Sequence, residues 1–457
     1  MTVSARKRIW GWWFFDWASQ PYNTLLLTFI FGPYFAKVAT AEFMAAGLTE
    51  SVAKAEAQAY WGFGLSICGI AIAILSPILG AIADGSGRRM VWIWFFSLLY
   101  VVGALGVWQL TPEAPMLAQA VFFFGIGFIA MEFATTFTNA LMPSLVEDEK
   151  LGSVSGSGFA FGYLGGLIAL IIMLLFFAEN GDTGRTLIGL APAFGLDPST
   201  LEGTRFVGPF SAIWFIVFMI PFFLWVREPK RPAGMVQRAG AALTGLWQSI
   251  RGLTGRRSLA AYLGSSMFYR DALNGLFGFG GVYASGVLNW SITQIGIFGI
   301  LGGVTAALAS WLGGYADQRF GPKPVIKASI LVLIAVCCIV AGMNRESIVG
   351  IAIAANSALP DVIFYVCGGL IGAAGGTIQA ASRTLMVRHT TPDRAAEAFG
   401  LFALSGKATS FLAPGLIAIM STMTGSQQLG ITPLIGLFLI GLVLLVWVKP
   451  DGDRGMA

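Results

Sequence analysis

The sequence predicts an all-α membrane protein whose twelve transmembrane helices form two pseudo-symmetric six-helix bundles. Three observations lead to this prediction. The 457 residues are 56% hydrophobic and only 11% charged, with a mean hydropathy of +0.75, unlike a soluble globular chain. The chain contains twelve apolar stretches, and a membrane-spanning helix needs ~20 such residues. Finally, the second six stretches repeat the polar pattern of the first six.

The predicted spans follow one another with mostly short connections. In chain order they are 9–38, 58–83, 91–110, 115–141, 154–178, 206–226, 258–287, 291–316, 325–343, 358–384, 395–422 and 431–449. The first span follows three basic residues, but it carries Asp16 and lacks a small-residue cleavage pattern. We therefore expect a retained helix and not a removable signal peptide.

The boundary between the two bundles is a basic stretch that contains proline and glycine. We assign residues 1–226 to an N-terminal six-helix bundle, 227–257 to a cytoplasmic linker and 258–457 to a C-terminal six-helix bundle. Within the linker, apolar residues recur near helical spacing from Val236 to Leu253, which predicts an amphipathic helix on the membrane surface. The external segment 178–205 is expected to be a lid or a plain loop.

The positions of lysine and arginine predict the orientation of the spans. Positively charged loops stay on the cytoplasmic side, and this places both termini in the cytoplasm of a bacterial-type inner membrane. Of the 28 Lys and Arg, two remain within the bilayer and five fall on the external side. These are Arg270 and Lys407 inside, and Lys37, Lys54, Arg185, Arg205 and Arg345 outside. The net charge of +5 thus reflects topology, and we expect no nucleic-acid partner.

Every third span differs in chemistry. Spans one, four and seven each contain a carboxylate, namely Asp16, Glu132 and Asp271. The apolar segments of spans three, six, nine and twelve contain no charged residue; these segments are 92–108, 211–226, 329–343 and 431–448. A charge within hydrocarbon costs ~2.5–3.5 kcal/mol or more, so it must face protein or water. Spans one, four, seven and ten are therefore expected to line a central aqueous path, with the three carboxylates as candidate proton-coupling residues.

Polar residues on these spans recur at helical spacing, which places each set on one helix face. The candidate substrate-binding residues are Gln20, Asn23, Asn139, Arg270, Asn274, Gln379 and Lys407. Carboxylates and cations balance among the buried residues, and this balance favours a zwitterionic substrate. The alternative is that these side chains are interhelical polar contacts that hold the bundles together.

Two loops, after spans two and eight, repeat the same motif. In each, a glycine allows close helix contact and an aspartate four residues later can cap a neighbouring helix. The candidate gating residues are Gly80, Asp84, Arg88, Arg89, Gly313, Asp317, Arg319 and, at the end of span ten, Arg383. The motif resembles the signature loop of major facilitators, and two parallel six-helix repeats are the arrangement of the major facilitator fold.

Several function classes lack support in the sequence. We find no nucleotide-binding loop, no metal-ligand spacing and no nucleophile–base set, so we expect no cofactor and no enzymatic activity. The four cysteines lie in apolar spans, where they act as small hydrophobic residues. The single histidine, His389, lies in a loop, so proton coupling would require carboxylates.

Four segments carry a family resemblance that extends over essentially the whole chain. They are Trp13–Ser19 (WFFDWAS), Gly152–Gly166, Gln379–Arg383 (QAASR) and Glu397–Lys407 (EAFGLFALSGK). They are similar to the autophagy-type vacuolar effluxer-like family of major facilitators. Residues 19–21 depart from the family's usual sequence. The fungal relatives resemble amino-acid effluxers, which implies small amphipathic substrates here.

The sequence thus predicts a monomeric secondary transporter in the lipid bilayer. It would move a small solute by alternating access, with protons as the coupling ion. Two alternatives stay open. One is an exporter of hydrophobic or lipid-like compounds, suggested by 14 Trp and 36 Phe. The other is a non-transporting sensor built on a transporter scaffold.

Overall fold

The computed structural model describes residues 3–181, 183–228, 239–354 and 357–453 and is almost entirely helical. The helices in the described part of the chain are α1 Ala5–Pro21, α2 Phe31–Ala45, α3 Glu50–Ser86, α4 Arg89–Gly106, α5 Leu117–Leu145, α6 Leu151–Phe176, α7 Glu202–Arg205, α8 Val207–Trp225, α9 Ala239–Gly252, α10 Arg257–Gly286, α11 Ile292–Phe320, α12 Pro322–Ala341, α13 Leu359–Arg388, α14 Ala395–Ala408, α15 Leu412–Thr424 and α16 Thr432–Leu444. Strands β1 Ser347–Ile348 and β2 Ile351–Ala352 form a short antiparallel hairpin.

The twelve-span prediction is confirmed. Among the described residues, eleven helical segments are long and apolar enough to cross a membrane. The seventh predicted span is α10, which has 30 residues but is not among the eleven. Its Arg270–Asp271 pair, serines and glycines make it more polar. In a multi-pass bundle such a helix is shielded from lipid by its neighbours.

Span one is not the single helix that we expected. It consists of α1, a π-helix over Tyr22–Phe29 and α2. Pro21 has no N–H and cannot donate to the carbonyl of Trp17, four residues earlier. That carbonyl instead accepts a hydrogen bond from Trp214 Nε1 at 3.2 Å. The π-helix ends at Ile30, whose φ of −123° and ψ of −65° redirect the chain into α2.

Span eleven is also broken, into α14 and α15, where one helix over 395–422 was expected. The cause is Pro414, which could not donate to the carbonyl of Ser410 in a continuous helix and would clash with it. Proline is tolerated in a first turn, so the helix restarts at Leu412 with Pro414 in that turn. Three residues, Thr409 to Phe411, separate the two helices.

By packing, the chain forms two compact units. Unit 1 comprises Met1–Ile72, Arg88–Thr138 and Phe161–Glu228, and unit 2 comprises Ala73–Gly87, Asn139–Ala160 and Pro229–Ala457. Unit 2 therefore contains one end each of α3, α5 and α6 from the N-terminal half of the sequence. The boundary between compact units differs from the boundary between sequence repeats.

The linker contains the helix α9, and its residues 229–238, including Val236, lie outside the described residues. One face of α9 is buried and the other is exposed. Ala242 and Leu246 are buried, whereas Trp247 is 55% exposed and carries the guanidinium of Arg251 over its ring at 4.9 Å.

Unit 1 has an aromatic core. Tyr22 is fully buried, donates to the carbonyl of Phe124 at 2.7 Å and packs edge-on against Tyr100 with ring centroids 4.9 Å apart. A buried aromatic side chain of this size contributes about 1.5–3 kcal/mol. These contacts fix span one against α4 and α5.

The C-terminal tail of unit 2 docks on the start of α10. The backbone N–H of Lys449 donates to Ser258 Oγ at 2.8 Å, and the N–H of Leu259 donates to the Asp453 carboxylate at 3.2 Å. Ser258 Oγ lies 2.8 Å from Nε2 of His389, whose Nδ1 is 2.8 Å from the carbonyl of Leu385. Since a carbonyl only accepts, Nδ1 carries the proton and Ser258 donates to Nε2.

Candidate functional site

In unit 1, the two predicted proton-coupling carboxylates lie on α1 and α5 and are half-buried. Asp16 is packed against Gly162 of α6, where an added Cβ would lie 3.2 Å from Asp16 Cβ. Thr136 Oγ1 donates to the backbone carbonyl of Glu132 at 3.0 Å. Both residues are thus partly shielded from solvent within unit 1.

The predicted polar face of span one is altered by the π-helix. Asp16 and Gln20 lie on α1 with the expected spacing, and Gly166 leaves room for Gln20, whose Cγ would be 2.8 Å from an added Cβ. Asn23 lies beyond Pro21 in the π-helix, so the 3.6-residue periodicity that placed it on the same face does not hold. Its amide nitrogen is 3.9 Å from Met131 Sδ.

In unit 2, Asp271 is fully buried and caps the second half of the broken span eleven. Its Oδ2 accepts the backbone N–H of Ala413, in the first turn of α15, at 3.0 Å, while Oδ1 has no hydrogen-bond partner. A carboxylate at a helix N-terminus is stabilised by the unpaired N–H groups there. The sequence indicated this carboxylate but not the helix end that it binds.

The other predicted substrate-binding residues of α10 and α13 differ in accessibility. Arg270 donates to the carbonyl of Phe402 at 2.8 Å, and its guanidinium lies 4.2 Å from the Phe402 ring centroid. Its guanidinium also lies directly against Gly406, where any side chain would clash. Asn274 is exposed, and Gln379 donates to the carbonyl of Gly375 in its own helix at 3.1 Å.

Lys407 occupies the last turn of α14, just before the break in span eleven. It is half-buried. Its position at a helix C-terminus is favourable for a cation because the unpaired carbonyls there carry partial negative charge. The break therefore has a cation on its α14 side and the Asp271 carboxylate on its α15 side.

Arg383 is the centre of a buried polar cluster that joins α13 to the ends of α5 and α6. It is 2% exposed, and its Nη1 donates to Asn139 Oδ1 at 3.1 Å. Its Nε and Nη2 donate to the side chain and carbonyl of Ser155 at 3.0 and 2.8 Å. Asn139, predicted to bind substrate, is thus the partner of a predicted gating residue in this conformation.

The first gating loop makes the helix cap that its sequence suggests. Asp84 is 5% exposed and accepts the backbone N–H groups of Ala396 and Glu397, at the start of α14, at 3.2 and 2.8 Å. Gly80 lies directly against the carbonyl of Ala396, and any side chain there would collide with it. Both features hold the end of α3 tightly on α14.

The second gating loop packs differently. Asp317 lies beside Gly152 at the start of α6, with its Cγ 2.8 Å from an added Cβ, but neither carboxylate oxygen has a hydrogen-bond partner. The close backbone approach involves Gly314, where an added Cβ would lie 2.9 Å from Gly156 Cα, whereas Gly313 faces Thr377 of α13. The two loops thus share a sequence motif, but their aspartates differ in hydrogen bonding.

The arginines of the gating loops differ in their exposure to solvent. Arg88 and Arg319 are exposed, and Arg319 lies 5.4 Å from the Phe320 ring centroid. Arg89 is 5% exposed, and its backbone N–H and that of Met90 both donate to the Glu228 carboxylate at 3.1 Å. Glu228, which we did not anticipate, therefore caps α4 from the segment that follows α8.

Comparison with solved structures defines the fold. The human organic anion transporter MFSD10 (TETRAN) superposes with a TM-score of 0.69 at 15% identity, over 97% of this chain and 99% of that one. The proton:xylose symporter XylE superposes with a TM-score of 0.67 at 12% identity, over 98% of both chains. The expected major facilitator fold is confirmed.

The chain belongs to the family described as "Vacuole effluxer Atg22 like", whose model matches residues 4–457. An MFS-type transporter of Bacillus subtilis, YxiO, is 26% identical over 96% of this chain and 94% of its own length. Autophagy-related protein 22 of Cryptococcus neoformans is 23% identical over 64% of this chain. The chain spans about half of that fungal protein, since the match covers 48% of it.

These matches confirm the resemblance read from four short segments of sequence. The chain is a multi-pass membrane protein of a transporter family and not an enzyme.

Proposed function

We propose that the chain is a proton-coupled secondary transporter of a small amphipathic solute, such as an amino acid or a similar zwitterion. It works in a bacterial-type inner membrane with both termini in the cytoplasm. Transport proceeds by alternating access, in which the bundles 1–226 and 258–457 rock against each other and the linker 227–257 connects them.

The observation that carries this proposal is the buried carboxylate of Asp271. It combines full burial, a single backbone donor to one oxygen and no partner for the other. An ionisable side chain buried within a membrane span with so few partners is a candidate site for the coupling proton. Because Asp271 caps α15, protonation weakens the charge–dipole contact that holds the break in span eleven. Proton binding is thereby linked to the position of a helix.

The polar residues near this break support a zwitterionic substrate. Lys407 and Arg270 place positive charge on the α14 side of the break, and Asp271 places negative charge on the α15 side. Unwound segments within membrane helices commonly form substrate sites because their backbone groups are free to bind. Arg383 and the Asp84 cap supply contacts that must break for the opposite conformation.

The proposal is tested in proteoliposomes with a pH-sensitive dye. Substrate added to the wild-type protein should move protons, and Asp271→Asn should abolish the coupled pH change while binding persists. Asp16→Asn and Glu132→Gln test the two unit 1 carboxylates in the same way. Glu147→Gln, a change at an exposed carboxylate, is the control. Unchanged coupling in all three interior variants would rule out the assignment.

The same vesicles separate the alternatives. A sensor on a transporter scaffold would bind solute without any flux. An exporter of lipid-like compounds would move a fluorescent amphiphile that has no ionic group, and Lys407→Ala would leave that flux unchanged.

A further inference from the structure

Unit 1 contains a cavity of about 240 Å³ at the point where span one bends. Its apolar wall includes Ile30, Leu174 and Leu201, and its polar lining includes Lys37, Glu179 and Thr204. The cavity lies near the start of α2, and its first lining residue, Phe29, is 13 residues beyond Asp16 along span one. It is therefore distinct from the polar interior described above.

The cavity is shaped by two features of the local fold. The redirection of the chain at Ile30 turns α2 away from the π-helix and leaves space beside Phe29. On the other wall, Gly203 lies directly against the carbonyl of Phe177 and the carboxylate of Glu179. Any side chain at this position would displace Glu179, so glycine keeps the carboxylate in place.

Glu179 is the buried anion of the cavity. Glu179 is 8% exposed, and both of its carboxylate oxygens accept the backbone N–H of Thr204, at 3.3 and 3.1 Å. Burial raises the pKa of Glu179, although its own backbone, Thr204 and the nearby Lys37 ammonium oppose that rise. A desolvated carboxylate of this kind gains most from a cation brought close to it.

Lys37 supplies the opposite charge. It is exposed, and its Nζ would be 3.0 Å from a Cβ added at Gly181, so the ammonium lies over the backbone of the loop after α6. The cavity thus offers a buried anion, an accessible cation and an apolar wall. This combination complements a molecule with an ammonium group, an anionic group and a hydrocarbon part.

We propose that this cavity is a second binding site, which takes a small zwitterion with a primary ammonium group and an apolar side chain. The ammonium group binds Glu179, the anionic group binds Lys37, and the hydrocarbon part packs against Leu174 and Leu201. A free amino acid and an ethanolamine lipid headgroup both present this charge pair. The site depends neither on transport nor on proton coupling, so it can be tested independently of the proposed function.

The test is isothermal titration of the full chain in detergent free of ethanolamine lipids. Three probes are used: L-leucine, leucinol, which lacks the carboxylate, and isocaproate, which lacks the ammonium group. Leucine should bind, and Glu179→Gln should weaken it by ~10-fold or more, as expected for loss of a charged hydrogen bond. Lys37→Gln should weaken leucine but not leucinol. Glu113→Gln, at an exposed loop carboxylate, should change nothing.

Two further measurements complete the test. Leucine affinity should fall as the pH is lowered through the raised pKa of Glu179, because the protonated carboxyl no longer attracts an ammonium group. Leu174→Phe fills the apolar wall without touching either charge, and it should weaken binding in a protein whose thermal unfolding is normal. This variant keeps the test decisive if Glu179→Gln does not fold.

The source of the zwitterion is determined with nanodiscs of phosphatidylethanolamine or phosphatidylcholine. Stabilisation by phosphatidylethanolamine alone, lost in Glu179→Gln, with no leucine binding in detergent, assigns the site to a lipid headgroup. Leucine binding that depends on Glu179 assigns it to a free solute. Equal leucine affinity in wild type and Glu179→Gln, equal binding of isocaproate, or no Glu179-dependent response to either probe overturns the proposal.

Discussion

At the scale of single residues, Arg383 makes the most concentrated set of polar contacts among the predicted site residues. Its three guanidinium nitrogens reach Asn139 and Ser155, and its Cζ lies 4.3 Å from the Phe159 ring centroid. Removing a partner of a buried charge leaves that charge uncompensated. The contribution of each contact therefore depends on the others.

We expect Asn139→Ala to lower the free energy of unfolding by about 1–3 kcal/mol, because one N–H of the buried Arg383 loses its acceptor. The measurement is thermal unfolding of the detergent-purified protein, followed by tryptophan fluorescence. Asn274→Ala removes an exposed amide and serves as the matched control. Equal melting temperatures for the two variants would contradict a structural role for Asn139.

Glu179 gives a pH dependence whose sign follows from burial. Its pKa is raised above the ordinary value of 4.5, so the folded state binds the proton more tightly than the unfolded state does. Stability from this group is therefore fully present at acidic pH and decreases as the pH rises from about 4.5 through the raised pKa.

We expect the stability difference between wild type and Glu179→Gln to change in the same direction. The glutamine variant mimics the neutral carboxyl at every pH, so wild type should lose stability relative to it as the pH increases. Melting curves recorded in the absence of ligand at several pH values test this. If wild type instead gains stability relative to Glu179→Gln as the pH increases, the attraction of Lys37 for the carboxylate outweighs the cost of burying its charge.

At the scale of elements, the two broken spans distinguish what sequence reasoning predicts from what it misses. Hydropathy predicts the order of the spans, and eleven helical segments of the described residues are long and apolar enough to match it. The remaining span, α10, is too polar to meet that criterion and matches by its length and its place in the repeat. The change from α-helix to π-helix after Pro21 and the break at Thr409–Phe411 were missed because Pro21 and Pro414 were read as residues of apolar spans. Each proline marked a helix boundary, and that signal was available in the sequence.

The partners of the site residues were harder to predict. Asp84 and Asp271 could be identified as carboxylates that need a donor, but their donors belong to α14 and α15, more than a hundred residues later. Tertiary packing decides such pairs, and a single sequence does not encode them locally. The cap from Glu228 on α4 was missed for the same reason.

We expect Pro414→Ala to favour a continuous span eleven, because proline costs ~3 kcal/mol within a helix. Substrate flux should fall at least tenfold while the melting temperature stays equal or rises. Flux into proteoliposomes and thermal unfolding are measured on the same preparation. Pro433→Ala, in the first turn of α16, is the control and should leave flux unchanged. Normal flux in Pro414→Ala would show that the break has no role in transport.

The close contact between α6 and α11 depends on paired glycines. A Cβ at Gly156 would lie 2.5 Å from Gly314 Cα and would collide with the carbonyl of Ser310. We expect Gly156→Ala to cost about 1–3 kcal/mol by overpacking. Gly296→Ala, whose Cβ would meet nothing within 4 Å, should be neutral. Comparable melting temperatures in both variants would contradict this contact.

At the scale of the whole molecule, the compact units do not coincide with the sequence repeats. Unit 2 takes in residues 73–87 and 139–160, which belong to the first repeat. The Asp84 cap and the Arg383 cluster lie there. If transport requires the repeats to move as bodies, these contacts must be broken and remade in every cycle. A covalent bond between α6 and α13 should therefore stop transport.

We expect Ser155→Cys combined with Ala380→Cys to form such a bond, because Ser155 Oγ donates to the carbonyl of Ala380 at 2.8 Å. The four native cysteines are replaced by alanine first. Oxidation should abolish flux, and a reductant should restore it. The single variant Ser155→Cys in the same background controls for the substitution. Undiminished flux in the oxidised double variant would exclude movement at this contact.

The docked tail has a consequence for biosynthesis. Span seven enters the membrane long before the ribosome reaches Lys449 and Asp453, yet its first turn relies on both for hydrogen bonds. Before the tail is present, the N–H of Leu259 lacks the Asp453 carboxylate, and Ser258 has His389 as its partner but not the N–H of Lys449. A chain that stops short of Lys449 would lack both hydrogen bonds, so the first turn of α10 should be held less firmly than in the longer chain.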